Sequence, residues 1–265
     1  MTTRNYGTIL FDLTDGVAEI TLNRPEAANA LTLEMATDLE HAALRCDADA
    51  TVRAVIVTGA GRFFFAGGDL KDFAAQGDHM PRYLKQAAST FHLAISRFNR
   101  MDAPVIMAVN GMAAGAGFSF ALSGDLCLAA ESARFTMAYT RAGLTPDGSS
   151  SYFLPRTVGL RRAKELTLTN RMLTAREALD WGIVNRVLPD AELMPAARTL
   201  AAELAQGPTL AFGATKRLLD DGLNSTLETA MEDESHAIAA MAKTADGREG
   251  IQAFIQKRAP AFKRQ

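Results

Sequence analysis

Phe63-Phe64-Phe65-Ala66-Gly67-Gly68-Asp69-Leu70 and Val109-Asn110-Gly111-Met112-Ala113-Ala114-Gly115-Ala116-Gly117-Phe118 decide how this chain reads. Each follows a short β-branched run that predicts a buried strand, Val52 to Thr58 before the first and Val105 to Val109 before the second. Glycines just past a strand end leave backbone N–H groups uncovered by side chains, so another molecule can approach the main chain. Two such groups aimed at one point form an oxyanion hole, which stabilises negative charge developing on a carbonyl oxygen. Tight turns and close helix packing account for the same spacing, and spacing alone does not choose between the two. A dinucleotide fingerprint finds little support. The G-x-G-x-x-G order is missing, and no acidic residue ends a following strand at the required distance.

Outward from these segments the first half alternates strands with helices. Thr8 to Leu13 and Val17 to Leu22 read as a hairpin around Thr14-Asp15-Gly16, and Leu22-Asn23-Arg24-Pro25 ends it. Thr32 to Arg45 reads as an amphipathic helix capped by Thr32, and His79 to Arg100 as a longer one. Gly115 to Ser123 is almost wholly apolar or small, the composition of a short helix buried on all sides, and Leu126 to Ala129 returns to strand. This alternation predicts an α/β fold with a parallel sheet and helical crossovers. From Arg161 onward the pattern is helical, with breaks at Gly182, Gly207-Pro208 and Gly222 and capping-box spacing at Thr174-Ala175-Arg176-Glu177. The expected organisation is an α/β core over residues 1–200 and a helical region for self-association over 201–265.

Composition removes several functions. The chain has 265 residues, 48% of them hydrophobic, enough for a large core, and a net charge of −2 with no run of Lys or Arg. Nothing in that balance suits nucleic acid or an anionic membrane. Cys46 and Cys127 stand apart in apolar or helical surroundings, which argues for a reducing compartment and against a zinc site. Met1 to Tyr6 carries no apolar signal region and no stretch approaches a membrane span, so a cytoplasmic protein is expected. His41, His79, His92 and His236 lack partners at metal-ligand spacing, so no metal site is expected. Gly117-Phe118-Ser119-Phe120-Ala121 lacks the last glycine of a nucleophile elbow, and no phosphate loop occurs. Carboxylates remain as acid–base candidates. Asp69 is expected to cap the helix that begins at Leu70, and Asp147, in Thr145-Pro146-Asp147-Gly148, is turn chemistry by composition.

Taken together, Phe65-Ala66-Gly67-Gly68-Asp69-Leu70, Ala108-Val109-Asn110-Gly111, Gly115-Ala116-Gly117 and Ala142-Gly143-Leu144-Thr145-Pro146-Asp147-Gly148 resemble the crotonase superfamily of enoyl-CoA hydratases and isomerases. Leu22-Asn23-Arg24-Pro25 with Asn29-Ala30-Leu31, Ala175-Arg176-Glu177-Ala178 with Gly182-Ile183-Val184-Asn185, and Phe254-Ile255-Gln256-Lys257-Arg258 extend the resemblance over essentially the whole chain. The resemblance implies a crotonase-like spiral of ββα units and a helical C-terminal trimerisation region, assembling as a homotrimer or homohexamer. It implies acyl-CoA thioester substrates, with coenzyme A entering as part of the substrate and no permanently bound cofactor. By position, the thioester carbonyl would lie between the backbone N–H groups of Gly68 and Ala116. Ala66, Gly67, Asp69 and Leu70 would line the adenine and pantetheine, and Phe254 and Lys257 would meet the nucleotide end.

The chain departs from the hydratases at the two glutamates that hold and activate water. Ser119 and Tyr139 stand at those positions. Water addition needs a base and an acid, and neither residue serves as a base unless its pKa is lowered. Asp147 resembles the proton carrier of Δ3-to-Δ2 enoyl-CoA isomerases, including the ring-expanding isomerase of phenylacetate breakdown, and the nucleophile of 4-chlorobenzoyl-CoA dehalogenases. Isomerisation with Asp147 as proton carrier is therefore the expected chemistry, with Tyr139 shaping the pocket or donating a hydrogen bond. Hydration, thioester hydrolysis or dehalogenation, and non-catalytic CoA binding stay open. Dehalogenation wants a histidine for its water, and none falls within Tyr139 to Ser151 in sequence.

Overall fold

The β-branched runs become a parallel sheet. The structure is a computed structural model described over residues 6–265, so the rest of the N-terminal stretch read for a signal region lies outside it. β1 (Ile9–Thr14) and β2 (Val17–Leu22) pair antiparallel across a turn in which Asp15 and Gly16 both take positive φ, 51° and 80°. Helix α1 (Leu33–Ala48) begins as expected at Thr32, whose side chain accepts from the Met35 amide.

A repeating unit then builds the core: a strand in a large sheet, a three-residue strand in a small sheet, then helix. The first unit is β3 (Ala54–Gly59), β4 (Phe63–Phe65), α2 (Leu70–Ala75) and α3 (Met80–Arg100). The second is β5 (Val105–Val109), β6 (Met112–Ala114) and α4 (Ala116–Leu122); the third is β7 (Leu126–Ala130), β8 (Arg134–Thr136), α5 (Ser150–Val158) and α6 (Leu160–Thr169). β9 (Leu173–Thr174), α7 (Ala175–Asp180) and β10 (Arg186–Leu188) complete both sheets. The large sheet runs β1-β2-β3-β5-β7-β10 and the small one β4-β6-β8-β9. Every pairing from β2 to β10 in the large sheet is parallel. This is the spiral of ββα units that the resemblance implied.

Between the sheets and α3 lies a phenylalanine cluster. Phe65, Phe91, Phe98 and Phe120 are fully buried and meet mostly edge to face, with Phe91 and Phe120 5.4 Å apart. All seven residues of α4 are buried, as its composition predicted.

Helix α8 (Leu193–Ala205) packs on β2, β3, β5 and β7 through Ala197, Ala201 and Ala205, so the boundary expected at residue 200 falls inside a core helix. The chain turns away only at Gly207-Pro208, into α9 (Thr209–Gly222), α10 (Leu227–Lys243) and α11 (Ala245–Ile255). No helix among the described residues is long and apolar enough to cross a membrane.

One largely buried ion pair ties α9 to the core. Asp125 accepts from the Val105 amide at 2.7 Å and from Lys216 Nζ at 2.5 Å, and Lys216 also donates to the Phe98 carbonyl at 3.1 Å. Removing one member leaves the other charge without compensation. Asp125→Ala is expected to lower unfolding free energy by about 3 kcal/mol in denaturant titration. A loss under about 1 kcal/mol would mean that water already screens the pair.

Candidate active site

The two glycine segments cross. Gly67 has φ 97° and a Cβ there would sit 2.9 Å from the Ala114 carbonyl oxygen; Gly115 has φ 52° and its Cβ would lie 3.5 Å from the Gly67 Cα. Only glycine permits that approach at those angles. A strut from the N-terminal region aligns the first segment. The Leu31 amide donates to the Gly67 carbonyl (2.7 Å) and the Asp69 amide to the Leu31 carbonyl (2.9 Å). In this parallel pairing the flanking groups bond to Leu31, so the N–H of Gly68 points to the opposite side. The Ala116 amide opens α4, where the residue four back lies in β6 and offers it no intrahelical carbonyl. Both residues line one cavity of about 350 Å³ with Ala66, Gly67, Leu70, Tyr139 and Asp147. The α3 residues Leu84, Lys85, Ala87 and Ala88 also line it.

Asp69 is the exception in its motif. Its side chain caps α2 through the Asp72 amide (3.2 Å) and pairs with Arg24 (3.0 Å), away from the cavity. Burial alone would raise its pKa. The hydrogen bond from the Asp72 amide and the Arg24 guanidinium outweigh that and hold the carboxyl below its ordinary value. Phe254 and Lys257 are also apart from the cavity: Phe254 is 86% exposed on α11 and Lys257 lies exposed just beyond it.

The positions that hold glutamates in hydratases do converge here. Ser119 Oγ and Tyr139 Oη are 3.0 Å apart, and Tyr139 Oη donates to Asp147 Oδ1 at 2.5 Å. Ser119 Oγ is also within 3.2 Å of the Gly115 carbonyl, so its proton can go there or to Tyr139. Burial, and after it the adjacent Asp147 carboxylate, push the Tyr139 phenol well above its ordinary pKa. Tyr139 therefore stays protonated and cannot be a base. It is a fixed donor that holds one Asp147 oxygen and leaves the other available to the cavity.

That assignment has a pH consequence. Up to about pH 10 both folded and unfolded chains keep this phenolic proton; above it the unfolded chain ionises first, so folded-state stability falls with rising pH. The melting-temperature advantage of wild type over Tyr139→Phe is expected to narrow between about pH 9 and pH 11. A gap that widens would mean the phenol ionises readily in the fold.

Folding also supplies a histidine that sequence spacing did not. His92 Nε2 accepts from the Gly148 amide at 3.0 Å, beside Asp147. The helical register held the signal: His92 lies four residues after Ala88, which faces the cavity. Two larger cavities, about 560 Å³ between α9 and α10 and about 460 Å³ on the other side of Asp147, contain neither Gly68 nor Ala116. Chemistry rather than size picks out the smaller one.

A sequence model for enoyl-CoA hydratase/isomerase matches residues 12–265. The chain is 40% identical over 258 residues to a probable enoyl-CoA hydratase of Rhodobacter capsulatus, covering 97% of this chain and 98% of that one. It is 38% identical over 255 residues to the 1,2-epoxyphenylacetyl-CoA isomerase of Escherichia coli K12, covering 96% and 97%. It is 36% identical over 228 residues to 4-chlorobenzoyl coenzyme A dehalogenase-2 of an Arthrobacter species, covering 86% and 83%. Among solved structures, an enoyl-CoA hydratase from Bacillus anthracis superposes with a TM-score of 0.92 at 34% identity, covering 97% of this chain and all of that one.

Proposed function

We infer the reaction from the premise that this chain belongs to the enoyl-CoA hydratase/isomerase family: it moves a double bond in an acyl-CoA thioester, with Asp147 carrying the proton. The observation behind this reading is the Ser119–Tyr139–Asp147 chain of hydrogen bonds. Two hydroxyls stand where water activation needs two carboxylates, and Tyr139 cannot be a base. Asp147 is the remaining carboxylate at the cavity, and the Tyr139 hydroxyl holds one of its oxygens. In the reaction Asp147 takes a proton from the carbon next to the thioester carbonyl. The electron pair delocalises onto the carbonyl oxygen as a dienolate, held by the Gly68 and Ala116 amides and the N-terminus of α4. Asp147 then gives the proton back two carbons further along. One group suffices because it acts first as base and then as acid.

Exposed Leu219, Leu223, Leu227, Met231, Ile238 and Ile251 on α9 to α11 fit burial against further copies of the chain. Light scattering is expected to return three or six chain masses, and a monomer would remove that role for the C-terminal helices. A cytoplasmic location accompanies the reading.

A second reading is favoured by one observation, the nearness of His92 to Asp147, which meets the demand that dehalogenation makes for a histidine. Against it, the Nε2 lone pair is occupied by the Gly148 amide. The test is turnover of 3-enoyl-CoA, 2-enoyl-CoA and 4-chlorobenzoyl-CoA by the purified protein, side by side. Conjugated 2-enoyl product from the 3-enoyl substrate is expected. Hydration of the 2-enoyl thioester at a comparable rate would overturn the isomerase reading, and chloride release would establish the second one.

A further inference from the structure

We propose that His92 is a positioning residue for Asp147, acting through the backbone of Gly148; this rests on the reading of Asp147 as the proton carrier. Locally, the Asp147 segment is fixed by its own end. The Asp147 carbonyl accepts from the Ser150 amide at 3.2 Å and the Ser150 hydroxyl at 2.9 Å. The next two residues, Gly148 and Ser149, take positive φ of 59° and 68°. Ser149, a non-glycine residue in that region, persists there where surrounding contacts determine it. The contact that does so comes from α3, as His92 Nε2 receives the Gly148 N–H at 3.0 Å.

Gly148 is buried, so losing this acceptor strands a buried N–H and drives the backbone to move. The direction of movement is limited. A Cβ on Gly148 would lie 2.9 Å from Ser119 Cβ and 3.1 Å from the Phe91 ring, so there is no room inward. Outward movement carries Asp147 away from Tyr139 and from the Gly68 and Ala116 amides.

The role needs the imidazole as an acceptor. A second proton turns Nε2 into a donor facing another N–H, and the bond is lost. His92 is itself exposed, in the cavity on the far side of Asp147. The charged and titratable groups there are Arg100 of α3, Asp147 of the loop, Tyr152 of α5, and Asp220 and Asp221 of α9. Asp220 accepts from Asn99 Nδ2 at 3.0 Å and Asp221 lies 3.8 Å from Arg100, so both are already engaged.

The experiment compares wild type, His92→Leu and His92→Gln in the full chain, since an exposed position tolerates both. Three quantities are read: kcat and KM on 3-enoyl-CoA, the pH profile of kcat, and hydrogen exchange of the Gly148 amide. His92→Leu is expected to lower kcat about ten-fold, the factor that matches the net worth of one hydrogen bond, with KM little changed and Gly148 exchange accelerated. His92→Gln keeps an acceptor oxygen and is expected to restore both, and it has no imidazole to contribute to the pH profile of kcat. Equal impairment of the two variants would overturn the proposal, because the imidazole would then be acting in the chemistry. Full activity of His92→Leu despite faster exchange would overturn it as well. Should Asp147→Asn prove fully active, the functional reading fails by itself. Gly148 exchange unchanged in His92→Leu would instead remove the hydrogen bond on which the positioning role stands.

Discussion

Asp147→Asn is expected to lower kcat on a 3-enoyl-CoA by about 10³-fold while KM stays within a few-fold of wild type. The amide has nearly the shape of the carboxylate, and its oxygen still accepts from the Tyr139 hydroxyl that Asp147 Oδ1 now receives at 2.5 Å. The loop and the cavity wall are therefore kept. What is lost is a group that can take a proton from carbon and hand it back. In the proposed mechanism a single carboxylate performs both transfers, so no second residue takes over half of the work. A loss confined to kcat is the signature of an interaction made in the transition state only. Steady-state kinetics on wild type and Asp147→Asn settles the point, with melting temperature as the check on folding. Activity within ten-fold of wild type would transfer the proton to another residue. Tyr139 could not be that residue, since burial and the neighbouring carboxylate hold its proton in place.

The sequence was legible where a feature was long or repeated in a local pattern. Hairpin β1–β2, the Thr32-capped α1, α3 and strand β5 stand within a residue or a few of where hydrophobic period and caps put them, and the Thr174–Glu177 capping box forms in full. Strands β4, β6 and β8 were not read as strands, because three residues cannot show a period of two above noise. β4 and β6 are short because each lies between a sheet strand and a turn that brings glycine to the cavity. Helix α5 escaped notice for a different reason: Pro155 lies inside it and Ser149 before it takes a positive φ, both against ordinary helix signals. For the site, motif recognition placed Gly68, Ala116, Tyr139 and Asp147 in advance, and the cavity joins all four. The same motif grouped Asp69 with its neighbours, yet only its backbone follows the glycine segment; its side chain is a cap held by Arg24. His92 could not be placed by spacing, since it reaches Gly148 across 56 positions through tertiary packing.

Ala116→Pro deletes one oxyanion donor without changing any side-chain function, and its expected effect is a fall in kcat of about 10²–10³-fold. Backbone N–H groups are ordinarily beyond the reach of mutation, because replacing the residue leaves the amide in place. Here the fold offers a way. Ala116 is the first residue of α4, the helical position where proline fits best and where its missing N–H removes no intrahelical bond. Gly115 before it has φ 52° and ψ −123°, outside the right-handed helical region that a following proline disfavours. The helix should therefore persist, and melting temperature measures whether it does. The ring carbon that replaces the amide hydrogen also occupies part of the space meant for the thioester oxygen, so KM is expected to rise along with the fall in kcat. Ala116→Gly separates the two causes of failure, since it keeps the N–H and adds no bulk, and it should retain activity within a few-fold. If Ala116→Pro folds and turns over like wild type, the Ala116 amide is not an oxyanion donor, and the dienolate must draw its stabilisation from Gly68 and the α4 dipole alone.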